Sequence, residues 1–319
     1  MTILITGVAG FIGNNFCQKL AKNKKQKIIG IDSLNNYYSK RIKKLRVDKL
    51  IQNKNVKFYQ INLNNKKKLQ KLFKKYKFKE VFNFAAQAGV RYSEINPHAY
   101  VESNITGFLN LITISKEFGI KKFFYASSSS VYGDNKNFPL VESENLNPKN
   151  FYGMTKKLNE DIAKNFYENY NFKSVGLRFF TVFGEWGRPD MFMFKYLSAS
   201  YHKKKFYLNN YGKHVRDFTY IEDVTNILLK LRTKKIIYNE IYNISSNNPI
   251  GLKQILDFFK KISPKTNIIK REFQKSDVYK THGSNKLVIK KTNYKHFKNI
   301  NISLKNTHDW FLKYKNYYK

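Results

Sequence analysis

The chain has one cysteine, Cys17, among 319 residues. It cannot close an internal disulfide, and it offers no cysteine cluster for a structural metal. Cys17 sits among apolar residues with no His or acid beside it to activate the thiol, so it reads as core rather than nucleophile. Acids are also scarce: 22 Asp and Glu against 60 Lys and Arg leave a formal charge of +38. Such a balance suggests a phosphate-rich partner. Only eight of the basic residues are arginine, however, and base-reading and stacking surfaces favour arginine. Nucleic acid is therefore not the expected partner. No apolar run is long enough to span a bilayer, and the first strand begins without a basic leader. No membrane is expected, and a cytoplasmic location is. His98, His202, His214, His282, His296 and His308 show no ligand spacing, so no metal is expected. With 6 Pro, 15 Gly and 42% apolar residues, the chain reads as folded, in one or two domains.

What is present has a clear rhythm. Short apolar runs at Thr2–Thr6, Lys27–Asp32, Val56–Ile61, Glu80–Ala85, Lys121–Ser127 and Ser174–Phe179 alternate with patterns that repeat at helical spacing. Long helices are expected over Tyr100–Phe118 and Tyr152–Tyr170. The rhythm predicts an α/β protein with a Rossmann-type, doubly wound parallel sheet. After Thr181 it breaks at Gly184, Gly187 and Pro189, and short strands at Phe218–Ile221 and Ile241–Ile244 mix with helices before an amphipathic segment at Leu304–Tyr318. A smaller mixed α/β domain for the substrate is expected over 179–319, interleaved with a first domain of 1–178 that takes back elements from about 214–244.

The first strand runs into Thr6-Gly7-Val8-Ala9-Gly10-Phe11-Ile12-Gly13. Glycines at this spacing allow a tight turn, a close backbone approach to a pyrophosphate, and close packing of helix on strand. The helix that follows offers its unpaired N–H groups to the phosphates. Asp32 closes the second strand, where a carboxylate accepts both ribose hydroxyls and repels a 2′-phosphate. NAD is the expected cofactor, in preference to NADP.

The fifth strand ends in Ser127-Ser128-Ser129-Ser130, and Tyr152-Gly153-Met154-Thr155-Lys156 follows further on. Tyr152 and Lys156 lie four apart, one turn along the same helix face. A phenol beside an ammonium and an oxidised nicotinamide loses its proton more readily. Tyr152 can then act as general base on a sugar hydroxyl while a serine holds the oxygen.

These segments resemble the extended short-chain dehydrogenase/reductases, and among them the nucleotide-sugar 4-epimerases, most closely the UDP-glucuronate branch. The resemblance rests on the two motifs above together with Ala85-Ala86-Gln87-Ala88-Gly89-Val90-Arg91-Tyr92-Ser93, Asn96-Pro97-His98-Ala99-Tyr100, Ser103-Asn104, Leu177 to Gly184, Trp186 to Met191, Tyr211-Gly212-Lys213 and Arg216 to Tyr220. It implies Ser128, Tyr152 and Lys156 as catalytic residues. It implies Gly7, Gly10, Phe11, Ile12, Gly13, Asp32, Asn62, Ala85, Ala86, Gln87, Asn104, Tyr152 and Lys156 as NAD contacts. Arg91, Ser127, Ser128, Ser129, Thr181, Arg188, Tyr211, Arg216 and Asp277 would hold the UDP-sugar. A homodimer through the two long helices is implied as well. Two departures stand out: Asn62 replaces the usual acid near the adenine, and Gln274-Lys275-Ser276 replaces a proline-glycine turn before Asp277-Val278.

Dehydrating relatives place acids just after the catalytic hydroxyl residue, and decarboxylating relatives carry a glutamate in this stretch. Here Ser129 and Ser130 stand there. Simple 4-epimerisation through a transient 4-keto sugar is the expected reaction. UDP-glucuronate is the expected substrate because Arg188 could pair bidentately with its carboxylate. UDP-glucose or a UDP-N-acetylhexosamine remains the alternative, with decarboxylation of UDP-glucuronate behind it.

Overall fold

Alternating strands and helices assemble as the sequence rhythm predicts, in a computed structural model that describes residues Met1–Lys319. The first half runs β1 (Thr2–Thr6), α1 (Phe11–Ala21), β2 (Lys27–Asp32), α2 (Lys40–Ile51), β3 (Val56–Gln60), α3 (Lys66–Tyr76), β4 (Glu80–Asn83), α4 (Val90–Ile95) and α5 (Pro97–Tyr100). A π-helical turn at Val101–Thr106 leads into α6 (Gly107–Glu117), then β5 (Lys122–Ser128), α7 (Phe151–Tyr170) and β6 (Ser174–Phe179). The second half adds β7 (Thr181–Phe183), α8 (Phe192–Tyr201), β8 (Phe206–Asn209), β9 (Val215–Tyr220), α9 (Ile221–Thr233) and β10 (Glu240–Ile244). It closes with β11 (Pro249–Gly251), α10 (Leu252–Ile262), β12 (Ile268–Arg271), α11 (Lys286–Thr292) and α12 (Ile300–Tyr314).

Seven strands pair in parallel in the order β10-β6-β5-β4-β1-β2-β3. Because successive side chains alternate, Ile3, Ile5, Phe82 and Phe124 face a core shared with α1, α2 and α9, while Leu4, Val81, Phe123 and Tyr125 face one shared with α3, α6 and α7. The sheet is thus buried on both faces, as all-parallel sheets require. Its strand order reverses beside β1, so the crevice for a ligand opens at the carboxyl ends of β1 and β4. The lysine excess falls where that packing allows. In α3, Leu69, Leu72, Phe73 and Tyr76 are buried while Lys66, Lys67, Lys68, Lys71, Lys74 and Lys75 are exposed.

Over the crevice lie a three-stranded sheet, β11-β9-β7, and a two-stranded one, β12-β8. Buried Arg46 of α2 ties these regions together, donating to the carbonyls of Ala9, Trp186 and Gly187 at 2.8, 2.6 and 3.0 Å.

Several expected elements differ: β9 begins three residues before the expected Phe218, and α12 four residues before the expected Leu304. The long helix expected from Tyr100 is interrupted by the π turn, whose wider coil turns Asn104 inward. β4 ends at Asn83 rather than Ala85, because the Ala85 N–H donates to the Thr6 hydroxyl instead of a strand partner.

Candidate active site

The glycine loop is shaped by close contact. Gly7 has φ +70°, and a Cβ there would stand 2.7 Å from the backbone of Phe84 and Ala85. A Cβ on Gly13 would stand 2.3 Å from the Gly7 carbonyl oxygen, so α1 can close on β1 only with glycine at that position. Gly10 caps α1 without a side-chain bond, and no acid lies in the first turn, so the helix keeps its N-terminal donors for an anion. Asp32 accepts from Ala9 N at 3.0 Å and Leu34 N at 2.8 Å. Burial raises its pKa and these two hydrogen bonds oppose the rise. Lys43, which the sequence reading missed, donates to the Asn35 backbone and side-chain oxygens at 2.7 and 2.6 Å; burial pulls its pKa down to about 8.

A cavity of about 400 Å³ follows the strand ends. It gathers Gly7, Gly10, Phe11, Ile12, Gly13, Asp32, Asn62, Ala85, Ala86 and Gln87 at one end, with Ser127, Ser128, Ser129, Tyr152, Lys156, Thr181, Arg188, Arg216 and Asp277 further along. A second cavity of about 720 Å³ adjoins it through Thr181, Arg188, Arg216 and Asp277 and is lined by Lys195, Lys204, Lys205 and Arg271. None of these four cations was singled out by sequence. Two belong to lysine runs and so look like ordinary surface.

Three expected contacts lie elsewhere. Asn104 is buried behind the crevice, where its side chain binds both backbone groups of Gln87, at 2.8 and 3.0 Å, and the Thr155 hydroxyl. It shapes the loop rather than lining the cavity. Tyr211 is 51% exposed, because positive φ at Asn210 and Tyr211 carries its side chain outward. Arg91 lines only the second cavity, where it donates to Asp277 at 2.6 Å.

At the catalytic end, Lys156 Nζ donates to the Ala126 carbonyl at 2.9 Å and stands 5.9 Å from the Tyr152 ring centre. Burial raises the Tyr152 pKa, opposed by the Ser128 hydroxyl and by the charge of Arg188. The lowered phenol expected from the sequence is therefore not a property of the protein alone. Burial also pulls Lys156 down to about 8, with Glu160 opposing. Ser127, expected to touch substrate, donates its hydroxyl to Glu160 at 2.5 Å. Arg188 has a partner too: Nε and Nη2 grip Asp190 at 2.9 and 2.5 Å, and Tyr37 donates to the same carboxylate at 2.9 Å. Burial works against both charges, but the pairing outweighs it, raising the pKa of Arg188 and lowering that of Asp190 to about 2. Arg216 donates to the carbonyls of Val215, Val278 and Tyr279, which holds it at the mouth of both cavities.

Residues 3–245 match the sequence profile of the NAD dependent epimerase/dehydratase family. The chain belongs to that family. It is an epimerase, and NAD is its cofactor. The epimerase is 37% identical to a UDP-glucuronate 4-epimerase of Thermodesulfobacterium geofontis, over 96% of this chain and 95% of that one. It is similar to the UDP-glucuronic acid 4-epimerase of Bacillus cereus crystallised with UDP-glucuronic acid and NAD, with a TM-score of 0.93, 29% identity, and coverage of 98% and 100% of the two chains. The UDP-glucose 4-epimerase of Thermotoga maritima, crystallised with UDP-glucose, follows at 0.88, with 29% identity and coverage of 98% and 99%. No helix of the epimerase is long and apolar enough to cross a membrane. The cradle fits the cofactor: Gly7, Gly10 and Gly13 line the cavity beside the uncapped N-terminus of α1, and Asp32 lines the same cavity.

Proposed function

We propose that this epimerase interconverts UDP-glucuronate and UDP-galacturonate by inversion at C4 through a transient 4-keto sugar. The observation that carries the reading is the distribution of charge in the crevice. Its only acidic lining residues are Asp32, in the glycine-loop end, and Asp277, which Arg91 neutralises. Around Tyr152 stand Ser128 to Ser130, Thr181 and Arg188, so a substrate carboxylate meets donors, with the Asp190 carboxylate already paired to Arg188. The same lack of acids leaves none to expel a C6 hydroxyl.

Residues 1–178, with elements from 214–244, hold NAD, and 179–319 hold the sugar nucleotide. NAD held by Gly7, Gly10, Gly13 and Asp32 would supply the hydride acceptor and donor for C4. Tyr152 takes the C4 hydroxyl proton and later gives it back, Ser128 holds the oxygen, and Lys156 keeps a positive charge beside both. A 4-keto uronate is a β-keto acid that readily loses CO2, and Ser129, Thr181 and Arg188 hold the carboxylate away from the alignment that favours that loss. Arg216 takes the diphosphate. Exposed apolar side chains on the two long helices, Leu109, Met154 and Leu158 among them, support pairing of two copies there.

The test is incubation with UDP-glucuronate, followed by proton NMR. UDP-galacturonate is the expected product. Turnover of UDP-glucose alone would replace the reading with a UDP-glucose 4-epimerase, and a UDP-pentose product would replace it with a decarboxylase.

A further inference from the structure

A buried, fully bonded polar cluster lies beneath the sheet below Ser128, on the face covered by α7. Ser127 of β5 and Arg178 of β6 are cross-strand neighbours in the parallel register, and both point to the face covered by α7. Glu160 of α7 descends between them. Its Oε1 accepts from Ser127 Oγ at 2.5 Å and from Arg178 Nε at 2.9 Å, and its Oε2 accepts from Arg178 Nη2 at 2.8 Å. The remaining Arg178 nitrogen, Nη1, donates to the Tyr132 hydroxyl at 2.8 Å and the Glu142 carbonyl at 3.0 Å. The Glu160 and Arg178 side chains are only 7% and 4% exposed.

Glu160 is also one helical turn beyond Lys156, whose ammonium donates to the carbonyl of Ala126, the residue before Ser127. One carboxylate therefore bonds the strand that presents Ser128 and lies one turn along the helix from the cation near Tyr152. A buried ion pair is an expensive structural device, since apolar residues of like volume hold helix to sheet as well. Its placement calls for a second role.

We propose that Glu160 is a positioning residue of the epimerase reaction: through Ser127 it fixes the end of β5 that carries Ser128, and its charge keeps Lys156 an ammonium in a dry site. The groups that meet Lys156 are Tyr152 and Glu160 on its own helix and the Ala126 carbonyl of β5. Of these, Glu160 carries a resting negative charge, which favours the protonated amine against burial. Arg178 balances the carboxylate from the other side.

The proposal rests on the epimerase reading, not on the identity of the sugar. The experiment is a kcat against pH profile of the full chain with NAD, using UDP-glucuronate or, where that is not turned over, UDP-glucose. Failure of the uronate reading therefore does not disturb the test. Glu160→Gln keeps the shape of the side chain and an oxygen for Ser127 but removes the charge. The alkaline limb is expected to move down by about one pH unit, a loss of about tenfold at pH 9 and only about twofold at pH 7. Ser127→Ala is expected to lower kcat uniformly with the limb unmoved. If Glu160→Gln does not fold, the double variant Glu160→Gln/Arg178→Met removes both buried charges together and is expected to move the limb in the same direction. A limb that stays in place in whichever of these two variants folds, with activity lost uniformly across pH, overturns the proposal and leaves Glu160 a structural residue.

Discussion

The two ends of the crevice hold charge in opposite ways. At the glycine-loop end, where we place the cofactor, the groups presented are backbone: the Gly7–Gly13 turn, the free N–H groups of α1, and Asp32 anchored by two backbone donors. At the other end, where we place the substrate, they are side chains that already have partners. Arg91 binds Asp277, 186 residues away in sequence. Arg188 binds Asp190, and Arg216 is surrounded by carbonyls. A backbone site exists as soon as the chain turns correctly. A site of paired cations must exchange or share those partners when a charged ligand arrives, which gives it a means of telling ligands apart.

The strongest way to break this comparison is Gly13→Val. If the cofactor end depends on backbone approach, a side chain set 2.3 Å from the Gly7 carbonyl must push α1 off β1. The expected result is loss of NAD binding by well over about tenfold, with a stability loss of about 1–3 kcal/mol from overpacking. Titration of the purified protein with NAD by fluorescence measures the first, and urea unfolding the second. Undiminished NAD binding would mean that side chains rather than backbone hold the cofactor.

Arg188→Ala sharpens the other half. Removing the guanidinium leaves the Asp190 carboxylate, which lines the second cavity, with the Tyr37 hydroxyl but without its ion-pair partner. Activity on UDP-glucuronate is expected to fall at least about tenfold further than activity on UDP-glucose, because a bidentate charged contact is lost and a like charge is exposed. Steady-state rates on both sugars decide it, and equal losses remove Arg188 from carboxylate recognition.

The same contrast explains what could be read from sequence. The strands β1, β2 and β6, and the glycine turn with Asp32, follow from local pattern, since each depends on neighbours a few residues away. The placing of Tyr152 and Lys156 one turn apart on a single helix was legible for the same reason. Glu160 carries the same signal, four residues beyond Lys156, but a single acid at helical spacing resembles solvated surface until β6 brings Arg178 against it. Arg46 gave no signal at all. It lies in a lysine-rich amphipathic helix, and only the fold shows its guanidinium joining the Ala9 carbonyl to those of Trp186 and Gly187. Asn104 and Tyr211 went astray through backbone detail: a π turn and two left-handed residues, neither of which side-chain spacing encodes.

The smallest expected effect separates the two ends by acid. On the substrate side, His214 is 3% exposed; burial, then the charges of Arg216 and Arg91, push its pKa down to about 4, with Asp277 opposing. Its unfolded form takes up a proton near pH 6.5 while its folded form does not, so stability is lost as pH falls from about 6.5 to 4, by roughly 2–3 kcal/mol. On the cofactor side, burial raises Asp32, so the folded state takes up that proton first and acid acts in the stabilising direction there. His214→Gln is therefore expected to be close to neutral at pH 7.5 and to flatten the fall in urea midpoint between pH 6.5 and 4.5. An unchanged fall would place the acid sensitivity in groups other than the substrate end, and the two ends would then differ in how they bind but not in how they respond to protons.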